Sequence, residues 1–236
     1  MAINRFGVRI MSGKALVAAS TKGGTGKTTM IVCLAVHWLQ KGWSVALLDV
    51  DPNQTLTRWH SKGMMLSSAT LRTTSDEHEI VGQAYELMET HDVVLIDCPG
   101  FGNQSMIFSI GTADLVLIPV MADEASVFEA LRVRKLVDSS ATLTRREIAS
   151  RTVLSRVKRA AIVDHTWNQL AELEAEPLAS RLGDRTVFQE SSYHGASPIE
   201  LTPNSPAASE IDALATEVEA LLMQSHQEPV LQRKAG

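Results

Sequence analysis

The sequence predicts an α/β fold, a doubly wound and mostly parallel sheet with helices on both faces. Three observations lead to this prediction. Short apolar, β-branched runs alternate with longer amphipathic stretches along the chain. A glycine-rich segment, Thr21 to Thr29, separates one such run from a helix-like stretch. Aspartates directly follow two further runs, and ligands of open parallel sheets bind beyond the carboxyl ends of the strands.

Each predicted element follows from its own pattern. The apolar runs predict strands at Ala15–Ser20, Val45–Asp49, Leu71–Thr74, Val93–Asp97, Leu115–Val120 and Thr152–Ser155. Apolar residues at helical spacing predict helices at Thr29–Lys41, Ile80–Thr90, Ser126–Ser139, Val163–Glu174 and Ser209–Gln224. Prolines predict a loop at Glu190–Pro203, before the last helix.

The segment Thr21 to Thr29 is predicted to bind phosphate. Its glycines permit a turn whose N–H groups point inward, and the following helix directs its positive N-terminal end at the same place. We expect Lys27 to reach the β- and γ-phosphates, and the Thr28 hydroxyl to ligate Mg²⁺. Threonine stands at position 21, where the usual pattern has glycine. The predicted phosphate-binding residues are Gly23, Gly24, Thr25, Gly26, Lys27, Thr28 and Thr29.

Carboxylates end two of the predicted strands. One set begins at Asp49 and includes Asp51, and the other is Asp97-Cys98-Pro99-Gly100. A carboxylate at the end of a buried strand beside a phosphate loop can hold Mg²⁺, which keeps several waters and takes few protein ligands. Asp97 suits this role. The alternative, that such an aspartate only caps the following turn, stays open and applies most to Asp49.

Three motifs together resemble those of the ParA/MinD family of ATPases. They are Lys-Gly-Gly-x-Gly-Lys-Thr at residues 22–28, Asp-x-Asp-Pro-x-Gln at 49–54, and Asp-x-Pro-Gly at 97–100. The segment Leu56–Trp59, and the short stretch of about 14 residues before the first predicted strand, are similar to small ParA plasmid partition proteins of the ParF type.

Two segments depart from the family pattern. Leu117–Val120 matches a further motif, but Ala122-Asp123-Glu124 replaces the Pro-Ser that usually follows it at the dimer surface. Ser155-Arg156 replaces the family's asparagine near the base, so the residues that recognise the base are not assigned.

The resemblance implies an ATP- and Mg²⁺-dependent switch. Lys22 binds nucleotide across a homodimer interface, Asp51 positions or activates the attacking water, and Asp49 supports the Mg²⁺ shell. The implied catalytic residues are Lys22, Lys27 and Asp51, and the implied metal-binding residues are Thr28, Asp49 and Asp97. The motif at 97–100 corresponds to the family's switch II segment, and Gly100 and Gly102 allow that segment to rearrange when the γ-phosphate leaves.

The resemblance also implies partners. ATP hydrolysis is slow and is stimulated by a partner and by DNA. The ATP-bound dimer binds double-stranded DNA without sequence preference and segregates or positions plasmid or chromosomal DNA with a ParB-like adaptor. The sequence has a concentration of positive charge that fits this role, with one acidic residue, Glu147, within it. The predicted DNA-binding residues are Arg145, Arg146, Arg151, Arg156, Lys158 and Arg159; a solvated face without DNA contacts is the alternative.

Composition limits the class of protein. The 236 residues include 44% hydrophobic residues and no Gly/Ser/Pro-rich linker. We therefore expect an N-terminal extension at residues 1–13, a single P-loop ATPase domain at 14–227 and a flexible tail at 228–236. The net charge of −5 argues against bulk attraction to nucleic acid, although a local basic patch remains compatible with it. Two cysteines indicate neither a disulfide framework nor a metal site, and no secretion signal or spanning run is present, which predicts a cytoplasmic protein. The resemblance to the ParA/MinD family further implies association with the nucleoid.

Three other functions remain open. The same ATPase cycle could position a protein cargo, such as a carboxysome or a chemotaxis cluster. A MinD-like ATPase at a membrane surface requires a basic amphipathic C-terminal helix, which Pro229–Gly236 matches poorly, so no membrane partner is expected. An iron–sulfur reductase of the nitrogenase iron-protein type requires exposed cysteines, and Cys33 and Cys98 are the only candidates.

Overall fold

The computed structural model of the protein describes residues 13–100 and 104–224. The strands are β1 (Lys14–Ala18), β2 (Val45–Asp49), β3 (Thr70–Thr73), β4 (Val93–Asp97), β5 (Leu115–Val120), β6 (Ala149–Val157) and β7 (Pro177–Gly183). The helices are α1 (Lys27–Gln40), α2 (Thr55–His60), α3 (Glu77–Thr90), α4 (Gln104–Thr112), α5 (Glu124–Thr144), α6 (Ala160–Glu172), α7 (Thr186–His194), α8 (Pro198–Leu201) and α9 (Pro206–Gln224), and a 3₁₀ helix spans Met65–Ser68.

The seven strands form one parallel sheet in the order β3-β2-β4-β1-β5-β6-β7. Successive side chains of a strand point to opposite faces, and in β1 Leu16 and Ala18 pack on one face while Ala15 and Val17 pack on the other. Helices α1 and α9 cover the first face, and α3, α4, α5 and α6 cover the second. The predicted doubly wound α/β fold is therefore confirmed.

The register of the central strands sets the position of the site. Asp97, the last residue of β4, lies beside Asp49 on β2 and beside Ala18 on β1. The glycine-rich loop follows β1 directly, and its last residues lead into α1. The loop and both carboxylates therefore meet at the carboxyl edge of the sheet, as expected for an open parallel sheet.

Strand β7 was not predicted, and the predicted loop at Glu190–Pro203 is wrong. Polar residues interrupt the apolar pattern of β7, which is tolerated because it is an edge strand, and its register with β6 is irregular. The segment from 190 to 203 instead contains the end of α7 and all of α8. Pro198 starts α8, where its missing N–H loses no helical bond, and the Glu200 carboxylate within α8 accepts from the N–H of Ser197, the N-cap, at 2.8 Å.

Other boundaries differ by a few residues. Strand β6 is longer than the predicted Thr152–Ser155, and α5 extends the predicted Ser126–Ser139 at both ends. Helices α2 and α4 were not predicted, since each is short and follows a motif read as loop. The expectations for residues 1–12, for Gly102 and for the tail at 228–236 concern parts of the chain outside the described residues.

Candidate nucleotide-binding site

The glycine-rich loop has the backbone conformation expected of a phosphate cradle. Gly24 and Gly26 have φ angles of 75° and 96°, in the left-handed region that favours glycine, and Gly26 is the N-cap of α1. Two side chains at the end of β6 hold the loop's carbonyls. Ser155 Oγ donates to Thr25 O at 2.8 Å, and Arg156 Nη1 donates to Gly24 O at 3.1 Å. The loop therefore has a fixed outer side, a support that the sequence did not reveal.

Thr28 and Asp97 lie together beside this loop. Thr28 Oγ1 donates to Asp97 Oδ2 at 2.6 Å, and within the described residues the buried Asp97 Oδ1 has no hydrogen-bond partner. Burial raises the pKa of Asp97 to about 7, the hydrogen bond from Thr28 opposes this shift, and the charge of Asp49 adds to it. A hydroxyl and an unpartnered carboxylate oxygen are ligands that Mg²⁺ prefers. The residues present therefore fit a magnesium ion.

Asp49 and Asp51 occupy different positions in the segment after β2. Asp49 Oδ2 accepts from the backbone N–H and the hydroxyl of Thr57, at 2.9 and 2.7 Å, and Oδ1 accepts from the Asp51 N–H at 3.2 Å. Both oxygens of Asp49 thus organise the segment, and burial raises the pKa of this carboxyl. Asp51 lines the cleft, and its Oδ1 accepts from the Asn53 N–H at 2.8 Å.

The two lysines of the loop point to different places. Lys27 is buried and lines the cleft. Lys22 is not among the residues that line the cleft; its Nζ lies 3.3 Å from Ser126 Oγ and 3.6 Å from Asp123 Oδ1, at the start of α5. Its side chain is 38% exposed. In the single chain, Lys22 therefore faces α5 and solvent, while Lys27 faces the cleft.

The cleft has a volume of about 820 Å³ and extends well beyond the loop. Asp51 and Thr55 line it on the side of β2, while Ser155, Arg156 and residues after β7 line it on the other side. One face of α7 completes the wall, with Phe188, Gln189, Ser192 and Tyr193. Sequence reasoning missed this wall because it placed part of α7 in a loop. The spacing of the four residues, at i, i+1, i+4 and i+5, is the pattern that could have identified it.

The structure does not bring the six predicted DNA-binding residues together. Arg145 and Arg146 precede β6, whereas Arg156, Lys158 and Arg159 lie at or beyond its carboxyl end. A strand of this length separates the two groups by roughly 25–30 Å. Arg151, within β6, forms an ion pair with Glu176. The six residues therefore do not form one continuous patch.

Ion pairs and hydrogen bonds further distinguish these basic residues. Arg146 donates to Gly111 O at 3.0 Å and lies 3.7 Å from Asp114. Lys158 and Arg156 both pair with Asp184, at 2.9 and 3.7 Å. Arg156 also lines the cleft, and its hydrogen bond to Gly24 O supports the glycine-rich loop. Lys158 and Arg159 are exposed at the edge of the sheet that carries the cleft.

This fold and this loop define the protein as a P-loop nucleotide-binding protein with a second lysine ahead of the first glycine. Comparison with known proteins agrees. The profile of the VirC1 protein family matches residues 14–190. The chain is 30% identical to Protein ParA of Rhizobium radiobacter over 186 residues, which cover 74% of this chain and 82% of that protein.

Two further similarities were found, one in sequence and one in structure. Over 207 residues, the chain is 26% identical to maintenance of carboxysome distribution protein A of Halothiobacillus neapolitanus, covering 86% of this chain and 95% of that protein. The structure of a Cyanothece McdA variant in complex with ATP shares the fold, with a TM-score of 0.70 and 19% identity over 94% of this chain and 100% of that one. The chain belongs to the VirC1 protein family, within the ParA/MinD class of ATPases that act in partition and positioning.

Proposed function

We propose that the protein is an ATP-driven dimer switch in which Lys22 of each subunit completes the nucleotide site of the other. The observation that carries this proposal is the opposite placement of the two loop lysines. Lys27 lines the cleft of its own chain, whereas Lys22 is outside the cleft and partly exposed. A lysine that opens a phosphate loop yet faces away from it is available to a second subunit.

The proposed reaction transfers the γ-phosphoryl group of ATP to water and yields ADP and phosphate. The N–H groups of residues 23–29 and the Lys27 ammonium hold the phosphates, and the α1 N-terminus adds a favourable dipole. Asp51, at the cleft wall, orients the attacking water. Lys22 of the other subunit adds positive charge where negative charge spreads in the transition state.

Thr28 and Asp97 are the residues that we propose hold Mg²⁺, Asp97 through its unpartnered Oδ1. When bound, the ion neutralises charge on the β- and γ-phosphate oxygens. Asp49 is proposed to support this shell indirectly, because its own oxygens accept hydrogen bonds from Thr57 and Asp51. It would thereby keep Asp51 in place when the phosphates change.

We further propose that the ATP-bound dimer binds duplex DNA without sequence preference, and that Lys158 and Arg159 contribute to this surface. Both lie at the same edge of the sheet as the nucleotide cleft, and Arg156 between them and the loop donates to Gly24 O. A change in the loop on nucleotide binding can therefore reach Lys158 and Arg159 through Arg156. Arg145 and Arg146 lie at the opposite edge and have no such connection.

The proposed cargo is plasmid or chromosomal DNA, recruited by a ParB-like adaptor that stimulates hydrolysis. The 30% identity to a ParA protein supports this choice. A protein body is the second candidate, which the 26% identity to a carboxysome distribution protein supports. The two candidates share the nucleotide cycle and differ only in the adaptor and in what it binds.

The structure gives less support to the other two functions. Cys33 and Cys98 are both buried, and burial raises the pKa of each thiol to about 12, which disfavours an exposed cluster shared between subunits. No helix within residues 13–100 and 104–224 is long and apolar enough to cross a membrane. The tail on which a membrane-surface function depends lies outside these residues.

Lys22→Ala and Lys27→Ala test the proposal as a pair. Lys27→Ala should abolish ATP binding, because it removes the charge that faces the phosphates. Lys22→Ala should retain ATP binding and the fold but lose ATP-dependent dimerisation. Equilibrium binding of a fluorescent ATP analogue and light scattering with Mg²⁺ and ATP measure the two properties. Dimerisation of Lys22→Ala at the wild-type ATP concentration would contradict the proposal.

A further inference from the structure

The two residues that open the phosphate loop are both attached to the beginning of α5. Lys22 Nζ donates to Ser126 Oγ at 3.3 Å and lies 3.6 Å from Asp123 Oδ1. Thr21 Oγ1 donates to a carboxylate oxygen of Glu129, one turn further along the helix. Thr21 stands where the usual loop has a glycine, which has no side chain for such a contact. The attachment therefore depends on the side chains of both Thr21 and Lys22.

Asp123 is a fixed negative charge. It is the N-cap of α5, where Oδ1 accepts from the Ser126 N–H at 2.9 Å and Oδ2 accepts from the Ser126 hydroxyl at 2.8 Å. Partial burial raises the pKa of this carboxyl, but the two hydrogen bonds from Ser126 and the charge of Lys22 outweigh it and lower the pKa. Asp123 is therefore ionised at neutral pH and holds one orientation with or without Lys22.

The contact with Asp123 competes with the role proposed for Lys22. An ammonium placed on the phosphates of a second subunit cannot also remain beside Asp123 of its own chain unless the two sites coincide. A chain in which Lys22 is held in place is less available for dimerisation, and an apparent affinity falls with the fraction of the competent state. Both side chains are partly exposed, 38% for Lys22 and 43% for Asp123, so the pair is a weak one.

We propose that Asp123 is a positioning residue that holds Lys22 within its own subunit and thereby raises the ATP concentration needed for dimerisation. This inference rests on the proposed function. The contact keeps nucleotide-free chains apart, and it is weak enough for bound ATP in a second subunit to displace it. Ser126 assists by giving the Lys22 ammonium a second acceptor.

Asp123→Asn tests the inference, because asparagine is an equally good N-cap and removes the charge; its amide oxygen can accept from the Ser126 N–H as Oδ1 does, while its NH₂ group takes the place of Oδ2. The ATP concentration for half-maximal dimerisation, measured by light scattering with Mg²⁺, should fall by about two- to fivefold. The difference from wild type should shrink towards none at about 0.5 M salt, where exposed charges are screened. A purely structural effect of the substitution would not show this salt dependence.

Asp164→Asn is the matched control. It also removes one negative charge from an exposed ion pair, the one with Arg181 at 3.1 Å, but on α6 and away from the loop. Its dimerisation threshold should equal that of wild type. An unchanged or raised threshold in Asp123→Asn, or an equal fall in both variants, would overturn the inference. If wild type binds ATP but never dimerises, the proposed function fails and the inference falls with it.

Discussion

At the scale of single residues, Asp97 is a buried carboxyl beside the glycine-rich loop. Its side chain is fully buried, one oxygen accepts from Thr28, and the other has no partner among the described residues. A buried carboxylate in this state is costly when ionised, and the neighbouring Asp49 adds to that cost. A cation in the proposed magnesium site would remove most of it. The nucleotide-free protein is therefore expected to carry a pH-dependent instability at this residue.

Asp97→Asn tests this expectation. The pKa of Asp97 is about 7 in the folded chain and about 4 in an unfolded one. Its contribution to stability is therefore fully present below pH 4 and is lost as the pH rises through 7. Asparagine has no such titration, so relative to wild type the variant should gain several degrees in melting temperature between pH 5 and pH 8. Thermal melts in EDTA without nucleotide measure this, and parallel pH profiles would refute it.

At the scale of elements, the end of α2 packs against the end of α7. This contact connects the segment after β2 to the far wall of the cleft. The Lys62 ammonium, just after α2, donates to Ser192 O of α7 at 2.5 Å. Gly195 follows α7 with a φ angle of 65°, and a Cβ there would lie 2.4 Å from Trp59 O and 2.6 Å from the Lys62 side chain. Glycine is needed here both for its backbone conformation and for the close approach of the two segments.

Gly195→Ala should therefore lower the free energy of unfolding by at least about 2 kcal/mol, since strain and overlap add. Gly82→Ala is the matched control. Gly82 lies within α3 and a Cβ there meets no atom within 4 Å, so alanine should stabilise the protein by about 0.5–1 kcal/mol. Urea unfolding measures both variants. Equal changes in the free energy of unfolding, or no change in Gly195→Ala, would show that α2 and α7 do not pack closely at Gly195.

The elements also show what the sequence could and could not predict. The central strands and the phosphate loop were predictable, because their apolar runs and glycines are local signals and the register follows from the parallel sheet. Strand β7 was not, because an edge strand with Ser180 and Arg181 lacks a continuous apolar run. The contact of Lys22 with Asp123 joins residues a hundred positions apart, and nothing local indicates it. The sequence predicts Asp97 as a candidate metal ligand from its place at a strand end, but its unpartnered oxygen could be found only from the structure.

At the scale of the whole molecule, the basic residues are divided between the two ends of the strands, with Lys158 and Arg159 at the carboxyl end of β6 and Arg145 at its amino end. This division predicts where DNA binds. Replacing Lys158 and Arg159 by glutamate should weaken ATP-dependent binding to duplex DNA by at least about tenfold and reduce its salt dependence. Arg145→Glu, at the opposite edge, should have a small effect. Fluorescence anisotropy at several salt concentrations compares them. A larger loss in Arg145→Glu would place the DNA surface at the other edge.

At the scale of the whole molecule, only one of the two lysines in the proposed nucleotide site faces the cleft of its own chain. Lys27, Thr28, Asp51 and Asp97 meet at the cleft or beside it, while Lys22 faces α5 at the outside. The central claim is that a second copy supplies the missing lysine. In a two-fold dimer each nucleotide site then contains Asp51 of its own subunit and Lys22 of the other subunit. Substituting Asp51 in one chain and Lys22 in the other therefore separates the two residues.

Mixing Lys22→Ala protein with Asp51→Ala protein tests this claim most directly. Lys22→Ala chains are not expected to pair with one another, but a mixed dimer keeps one Lys22 across its interface and so contains one intact site, formed by Asp51 of one chain and Lys22 of the other. Phosphate release from the equimolar mixture, with ATP, Mg²⁺ and duplex DNA, should then rise above the sum of the two variants alone, to about a quarter of the wild-type rate if the chains pair at random. If Lys22 acts on the nucleotide of its own chain, both sites of every dimer are defective and mixing restores nothing.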